Sequence, residues 1–459
     1  MSVIEGFLIF IAILLLYTFI VFILHRKKIF EKYNISFFGP ALMWRTIKGR
    51  ALLQKIGKWK RFWKISMNIG IIVCFITMIF MVSLLIINSW VILELTPEQR
   101  EEIILGPETA LPIPGLNPIL PIEYVGYIII AFIVAIIAHE FSHGILTYAS
   151  NLKVKSLGIL YLIIPIGAFV EPDEEQLKKT KASNRMRIFA AGPTMNYVVV
   201  LVTILLLSMV FMSSVQLAAE GMNVFYVGEN TPAEEIGLNP GMIIVSLNNS
   251  NVTDFSDFYT IMQNTSAGQE LPITYMESNK KYNTTVILAD KSEFTQNESD
   301  QGQGYLGVGS SPISPNGFLS LLKNPFLDFP MGFLTFFYIP VLGYFQGYNP
   351  LVDPYVNAFI ITGPLSIIPT NIFWIIVNAL YWIFWLNFAV AIFNVLPIGP
   401  LDGGLLFKDG INVMIKRIKK NITKEKSEAL VGRITLTISL VLLFLILFPW
   451  IMKFLTPLF

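Results

Sequence analysis

The chain has 459 residues, of which 54% are hydrophobic and only 14% charged, with a formal net charge of +2. It is far more apolar than an ordinary soluble domain, and its apolar residues gather in long runs, so a polytopic membrane protein is expected rather than a large soluble core. One cysteine, Cys74, excludes an internal disulfide and a cysteine-built zinc cage, and three histidines leave few candidates for any histidine metal site.

In chain order, the runs that approach the roughly 20 residues of a membrane-crossing helix lie at 6–24, 68–93, 124–149, 188–213, 370–397 and 433–454. The first is long enough to span and its basic stretch follows rather than precedes it, so no cleavable signal peptide is read there. The loop after it carries His25-Arg26-Lys27-Lys28, Arg45, Lys48, Arg50, Lys55, Lys58, Lys60, Arg61 and Lys64 against one acid, Glu31. The next loop is acidic (Glu94, Glu98, Glu101, Glu102, Glu108, Glu123), and the one after it is basic again (Lys178, Lys179, Lys181, Arg185, Arg187). The positive-inside rule then puts loops 25–67 and 150–187 in the cytosol and residues 214–369 outside, in a multi-pass protein of the cell membrane. Five Asn-x-Ser/Thr acceptors, starting at Asn248, Asn251, Asn264, Asn283 and Asn297, fall in that outer segment. The basic stretch 45–64, with Trp44, Trp59 and Trp63, is expected along the anionic inner leaflet. The stretch 326–348 is apolar but broken by Pro330, Pro340, Gly343 and Gly347. Counting it as a span would place Lys408 to Lys426 outside, so it is read as interfacial or re-entrant.

Residues 222–310 differ in character, with alternating polar and apolar positions and many turn residues. Thr231 to Leu238 reads as a short helix, Asn239-Pro240-Gly241 as a turn, and Met242 to Asn248 as a buried strand ending in a polar turn. This insert resembles a PDZ domain, which implies binding of an extended peptide by strand addition; the alternative is a spacer or shape filter.

His139-Glu140-Phe141-Ser142-His143 lies near the cytosolic end of the third span. Helical positions four apart share a face, so both imidazoles can reach one ion while Glu140 takes a proton from water that a zinc ion makes more acidic. Three ionisable groups together in a membrane helix are costly and usually functional. Catalytic zinc commonly takes three protein ligands. His25 sits at the border of the first span, so a carboxylate at the same depth should complete the site. Asp402 fits, in Asn394-Val395-Leu396-Pro397-Ile398-Gly399-Pro400-Leu401-Asp402-Gly403-Gly404, where proline and glycine break the helix.

With two further segments, Pro165 to Pro172 and Ala191-Gly192-Pro193-Thr194-Met195-Asn196, these motifs resemble the site-2 protease family of intramembrane zinc metalloproteases, of the prokaryotic type with an inserted PDZ domain. The resemblance covers roughly 124–213 and 370–410. It implies one zinc per chain held by His139, His143 and Asp402, Glu140 as base, and polar roles near the site for Asn196 and Asn394, either donating to a developing oxyanion or tying two helices together. It also implies a re-entrant β hairpin over 156–171 whose edge could pair with an unwound substrate.

The expected architecture is therefore an α-helical membrane protein of about six crossing helices with a re-entrant β segment and an α+β insert. Its parts are N-terminal helices with a basic loop (1–123), a first core half (124–213), the PDZ-like insert (222–310), the segment 326–348, a second core half (370–410), and a basic segment with a last helix (411–459). The expected partners are transmembrane substrates, the bilayer and a peptide ligand of the insert, with no nucleic acid. A catalytically silent membrane scaffold binding through the insert is the alternative, and loss of a ligand or of the base would mark it. A transporter would spread polar groups along several spans, whereas here they cluster at one depth.

Overall fold

The computed structural model of the chain describes residues 3–38, 41–110, 113–162, 165–277, 280–295, 297–310, 315–346, 351–352 and 354–455. Its main helices are α1 (Val3–Arg26), α2 (Lys60–Glu94), α3 (Val125–Ala149), α4 (Ala182–Leu205), α5 (Met331–Gln346), α6 (Thr370–Asn394), α7 (Asp402–Ile418) and α8 (Lys424–Leu455). Five of them, α2, α3, α4, α6 and α8, are long and apolar enough to cross a membrane. Helix α1 covers the first expected span, although its apolar stretch with described side chains is only Leu15–Arg26. Ile69, Ile72, Ile76 and Ile79 on α2 are each at least 60% exposed. A stripe of that kind is a liability in water and is at home against hydrocarbon. Several helices outrun the apolar stretches that announce them; α2 begins at Lys60 and α8 at Lys424, because backbone hydrogen bonding continues into polar turns until a breaker intervenes.

The chain divides into two compact units. One contains residues 1–107, 130–200 and 386–459. Within it, Cys74 of α2 lies 3.9 Å from the Ala190 carbonyl and 3.8 Å from the Thr194 hydroxyl of α4. Cys74, Ala190, Val395 and Leu406 form one buried cluster that joins α2, α4, the end of α6 and α7.

The same unit holds a four-stranded antiparallel sheet, β1 (Ile35–Phe38), β2 (Ala41–Thr46), β3 (Val154–Tyr161) and β4 (Pro165–Pro172), in that spatial order. The β3–β4 hairpin is the β segment expected over 156–171. The β1–β2 hairpin, which precedes most of the basic stretch, lays Leu42 to Thr46 against Leu157 to Tyr161 and so occupies the outer edge of β3. Trp63 is buried, its indole donating to the Ile56 carbonyl at 3.0 Å, whereas Trp59 is exposed. The hairpin is locked by Arg45, which lies 3.5 Å from Glu171 of β4, a carboxylate that also accepts the Ser156 hydroxyl at 2.6 Å.

The second unit contains residues 108–129 and 201–385. The insert follows its sequence reading closely. Pro232–Glu235 is a short helix, Gly241 turns at φ +89°, Ile243–Leu247 is a buried strand, and Asn248 and Asn249 take positive φ in the turn after it. That strand lies between Met222–Asn223 and Glu270–Glu277, and Lys280–Ile287 forms the outer strand. Met222, Leu238, Ile244, Phe258, Leu271 and Val286 pack into one apolar core. Helix α5 packs along α6 through Tyr381 and Trp385, which donate to the Phe336 and Phe337 carbonyls at 3.1 and 3.0 Å. Its 16 residues give a length of about 24 Å, short of a hydrocarbon core of about 30 Å.

Candidate metal centre

The two histidines lie one turn apart on α3, whose polar interruptions are satisfied locally. Ser142 and Thr147 donate their hydroxyls to the carbonyls of His139 and His143 at 2.6 and 2.7 Å, so neither needs a partner in lipid. The carboxylate comes from far along the chain. Helix α6 ends at Asn394, and the Leu396-Pro397-Ile398 segment turns tightly before α7 opens at Asp402. Ser439 of α8 fixes that turn, accepting the Gly399 N–H at 3.0 Å. The paired glycines are required by close packing. A Cβ on Gly403 would sit 2.1 Å from the Val395 carbonyl oxygen, and one on Gly404 2.2 Å from that of Ile398. Only glycines there let α7 start hard against the end of α6.

The outcome is convergence on one oxygen. Asp402 Oδ2 lies 3.0 Å from His139 Nε2 and 3.1 Å from His143 Nε2. Two donors on one tetrahedral zinc, each about 2.0–2.1 Å from it, would stand roughly 3.3 Å apart, close to what is seen. His139, His143 and Asp402 form the one group of potential metal ligands found among the described residues. All three side chains are at most 16% exposed.

Hydrogen bonding gives a second reason to place a cation there. His143 Nδ1 lies 2.7 Å from the Ile188 carbonyl, which can only accept, so Nδ1 carries a proton, and in the neutral ring it is the Nε2 lone pair that faces Asp402. A lone pair and a carboxylate oxygen at 3.1 Å repel unless a proton or a metal ion lies between them, and the same oxygen also faces His139. Three converging donors suit a divalent ion better than one proton. The Ile188 contact is the outer-shell bond that orients a metal-ligating imidazole.

Glu140 follows His139 in sequence, and its Oε2 accepts the backbone N–H of Val170 on β4 at 2.9 Å. The glutamate is thus fastened to the sheet edge that β3 does not use. Asn196 is fully buried and neither atom of its amide has a hydrogen-bond partner among the described residues. Asn394 donates to the Val390 carbonyl at 3.0 Å, one turn back in its own helix. Sequence reasoning therefore brought His139, Glu140, His143 and Asp402 to one place, and missed the backbone groups of Ile188 and Val170 that orient them. No side-chain motif signals such contacts.

Gly192 on α4 closes the site from the other side. A Cβ there would fall 2.4 Å from His139 Nε2 and 2.6 Å from His143 Nε2. Gly192→Ala is accordingly expected to leave the protein folded but to lower its zinc content well below one per chain, as read by elemental analysis of the purified protein. Wild-type zinc content in that variant would contradict this geometry.

Comparison with known proteins agrees with the arrangement. Residues 127–442, well over half the chain, match Peptidase family M50. An uncharacterised protein of Methanocaldococcus jannaschii is 28% identical over 430 residues, covering 91% of this chain and 93% of that protein. The zinc metalloprotease RasP of Shouchella clausii is 25% identical over 245 residues, covering 52% of this chain and 54% of that protein. The PDZ domain of an SdrC-like protein from Listeria monocytogenes matches 21% of this chain and 92% of its own length at 17% identity, with a TM-score of 0.18. With the family's sequence pattern running through the helices that carry the histidine pair and Asp402, the chain belongs to Peptidase family M50, the zinc metalloproteases of the site-2 protease type.

Proposed function

We propose that the chain is an intramembrane protease that hydrolyses peptide bonds in transmembrane segments of other membrane proteins, with His139, His143 and Asp402 holding one zinc ion and Glu140 as general base. The observation that carries this reading is the meeting of both Nε2 atoms on Asp402 Oδ2 among helices long enough to cross a bilayer. By the loop charges, the site lies near the cytosolic face and the insert outside.

Bound zinc would act as a Lewis acid toward the scissile carbonyl and would make a neighbouring water more acidic. The chain's own residues do the rest. Glu140 takes the proton of the attacking water and returns it to the departing amide nitrogen, a shuttle worth about 10²–10⁴-fold in rate. Its bond to the Val170 N–H keeps the carboxylate oriented without neutralising it. Asn196, whose buried amide has no other described partner, donates toward the oxygen that becomes negative. A helical substrate must unwind before attack, since its peptide groups are shielded. β2 already covers β3, so the open edge beside Glu140 is that of β4. An unwound segment adds there as a further strand, which carries the scissile bond past the base. The insert is read as a peptide-binding module that holds substrate tails outside the membrane.

The test is cleavage of a single-span substrate in reconstituted vesicles. Glu140→Gln is expected to retain zinc and to lose about 10²–10⁴-fold in rate, and a zinc chelator is expected to abolish cutting by the wild type. Wild-type cleavage by Glu140→Gln would sink the assignment. Strand alternation puts the Ala168 N–H on the same open edge as that of Val170. Ala168→Pro removes that donor, so it should lower the rate for helical substrates while zinc content stays at one; unchanged turnover would remove β4 from the substrate path.

A further inference from the structure

Asp402 reaches the histidines only if α7 lies in the correct register against α4, and a second contact between these two helices fixes that register. Arg185 grips Asp409 from both sides, with Nε to Oδ2 at 2.9 Å and Nη2 to Oδ1 at 2.5 Å. Its remaining nitrogen, Nη1, donates to the Thr180 carbonyl at 2.7 Å, which anchors the guanidinium at the start of α4. Asp409 is only 7% exposed and the Arg185 side chain 19%, so this is a largely buried, bidentate pair rather than a surface contact. Among the described salt bridges it is the only one joining α4 to α7.

Its placement carries the inference. Asp409 follows Asp402 by seven residues, two turns along one face of α7, or roughly 10 Å. Arg185 precedes Gly192, the residue that touches both metal-facing nitrogens, by the same seven residues on α4. Between the two levels lie the Ile188 carbonyl that orients His143 and the buried apolar cluster that holds both Ala190 and Leu406. The helices are thus clamped at two levels, by the metal donors at one and by the ion pair two turns away.

We infer that Arg185 and Asp409 are positioning residues for the metal centre, setting the register of α7 so that Asp402 completes the ligand set. This rests on the metal reading given above. Ligand distances tolerate only about 0.2 Å, whereas slippage of a helix by one turn moves its residues 5.4 Å. The pair touches neither metal nor substrate, so it acts through Asp402 alone.

The experiment is cobalt(II) binding to the full-length protein in detergent, read both as affinity by chelator competition and as the visible spectrum, which reports ligand number and geometry. Wild type, Asp409→Asn, Arg185→Met and the double variant Arg185→Met/Asp409→Leu are compared, with helix content and monodispersity confirming the fold. The single variants are expected to bind cobalt at least about tenfold more weakly, as outer-shell substitutions commonly do, with an altered spectrum. The double variant should be no worse than either single one, because the two groups act as a unit. Wild-type affinity and spectrum in folded single variants would overturn the inference. Should both single variants fail to fold, the double variant decides, since it leaves no lone buried charge; a wild-type spectrum and affinity there would overturn the inference equally. Failure of the wild type itself to bind cobalt would instead overturn the metal reading.

Discussion

The organisation of this chain follows from one electrostatic constraint, that ionisable side chains among membrane-crossing helices need partners. His139 and His143 sit on a helix with otherwise apolar surroundings, and the carboxylate that answers them, Asp402, lies 259 residues beyond His143. Opposing the cost of burying these groups requires several elements to be exact at once. The broken end of α6 lets α7 begin with a carboxylate, Gly403 and Gly404 allow that helix to start in contact with the preceding one, and Ser439 holds the turn between them. The Arg185–Asp409 pair belongs to the same logic. Another register of α4 and α7 would leave the mostly buried Asp409 carboxylate without its partner, so the pair disfavours it.

A second constraint comes from the substrate. A peptide bond in a helix is shielded, so a protease of membrane segments needs both a water-accessible centre and a surface that stabilises an extended chain. On the proposed reading, the four-stranded sheet would meet the second need beside the first, because Glu140 accepts the Val170 N–H on the β4 edge. The β1–β2 hairpin makes this arrangement one-sided. By taking the outer edge of β3, it leaves β4 as the edge next to the glutamate.

Much of this was legible in the sequence, for identifiable physical reasons. The crossing helices appear as long apolar runs, the histidine pair as a four-residue spacing on one helical face, and Asp402 as a carboxylate after a proline- and glycine-broken helix end. The turn at Gly241 and the strand Ile243–Leu247 were readable from local chemistry. What stayed hidden depends on long-range pairing. Residues 35–46 hold a basic arginine and mixed polarity, and nothing local marks them as the partner of a hairpin more than a hundred positions later. Arg185 reads as one more basic loop residue and Asp409 as an acid in a basic segment; their pairing exists only once α4 and α7 lie side by side. The orienting groups of Ile188 and Val170 are backbone atoms, which carry no residue-type signal.

The central claim is that two histidines and one distant aspartate share a single zinc ion, and X-ray absorption at the zinc edge of the purified, full-length protein tests it most directly. The account predicts one zinc per chain with two imidazole nitrogens and carboxylate or water oxygens at about 2.0–2.2 Å, and loss of that signature in Asp402→Ala. A zinc site with the same spectrum in Asp402→Ala, or one whose ligands include sulfur, would contradict it.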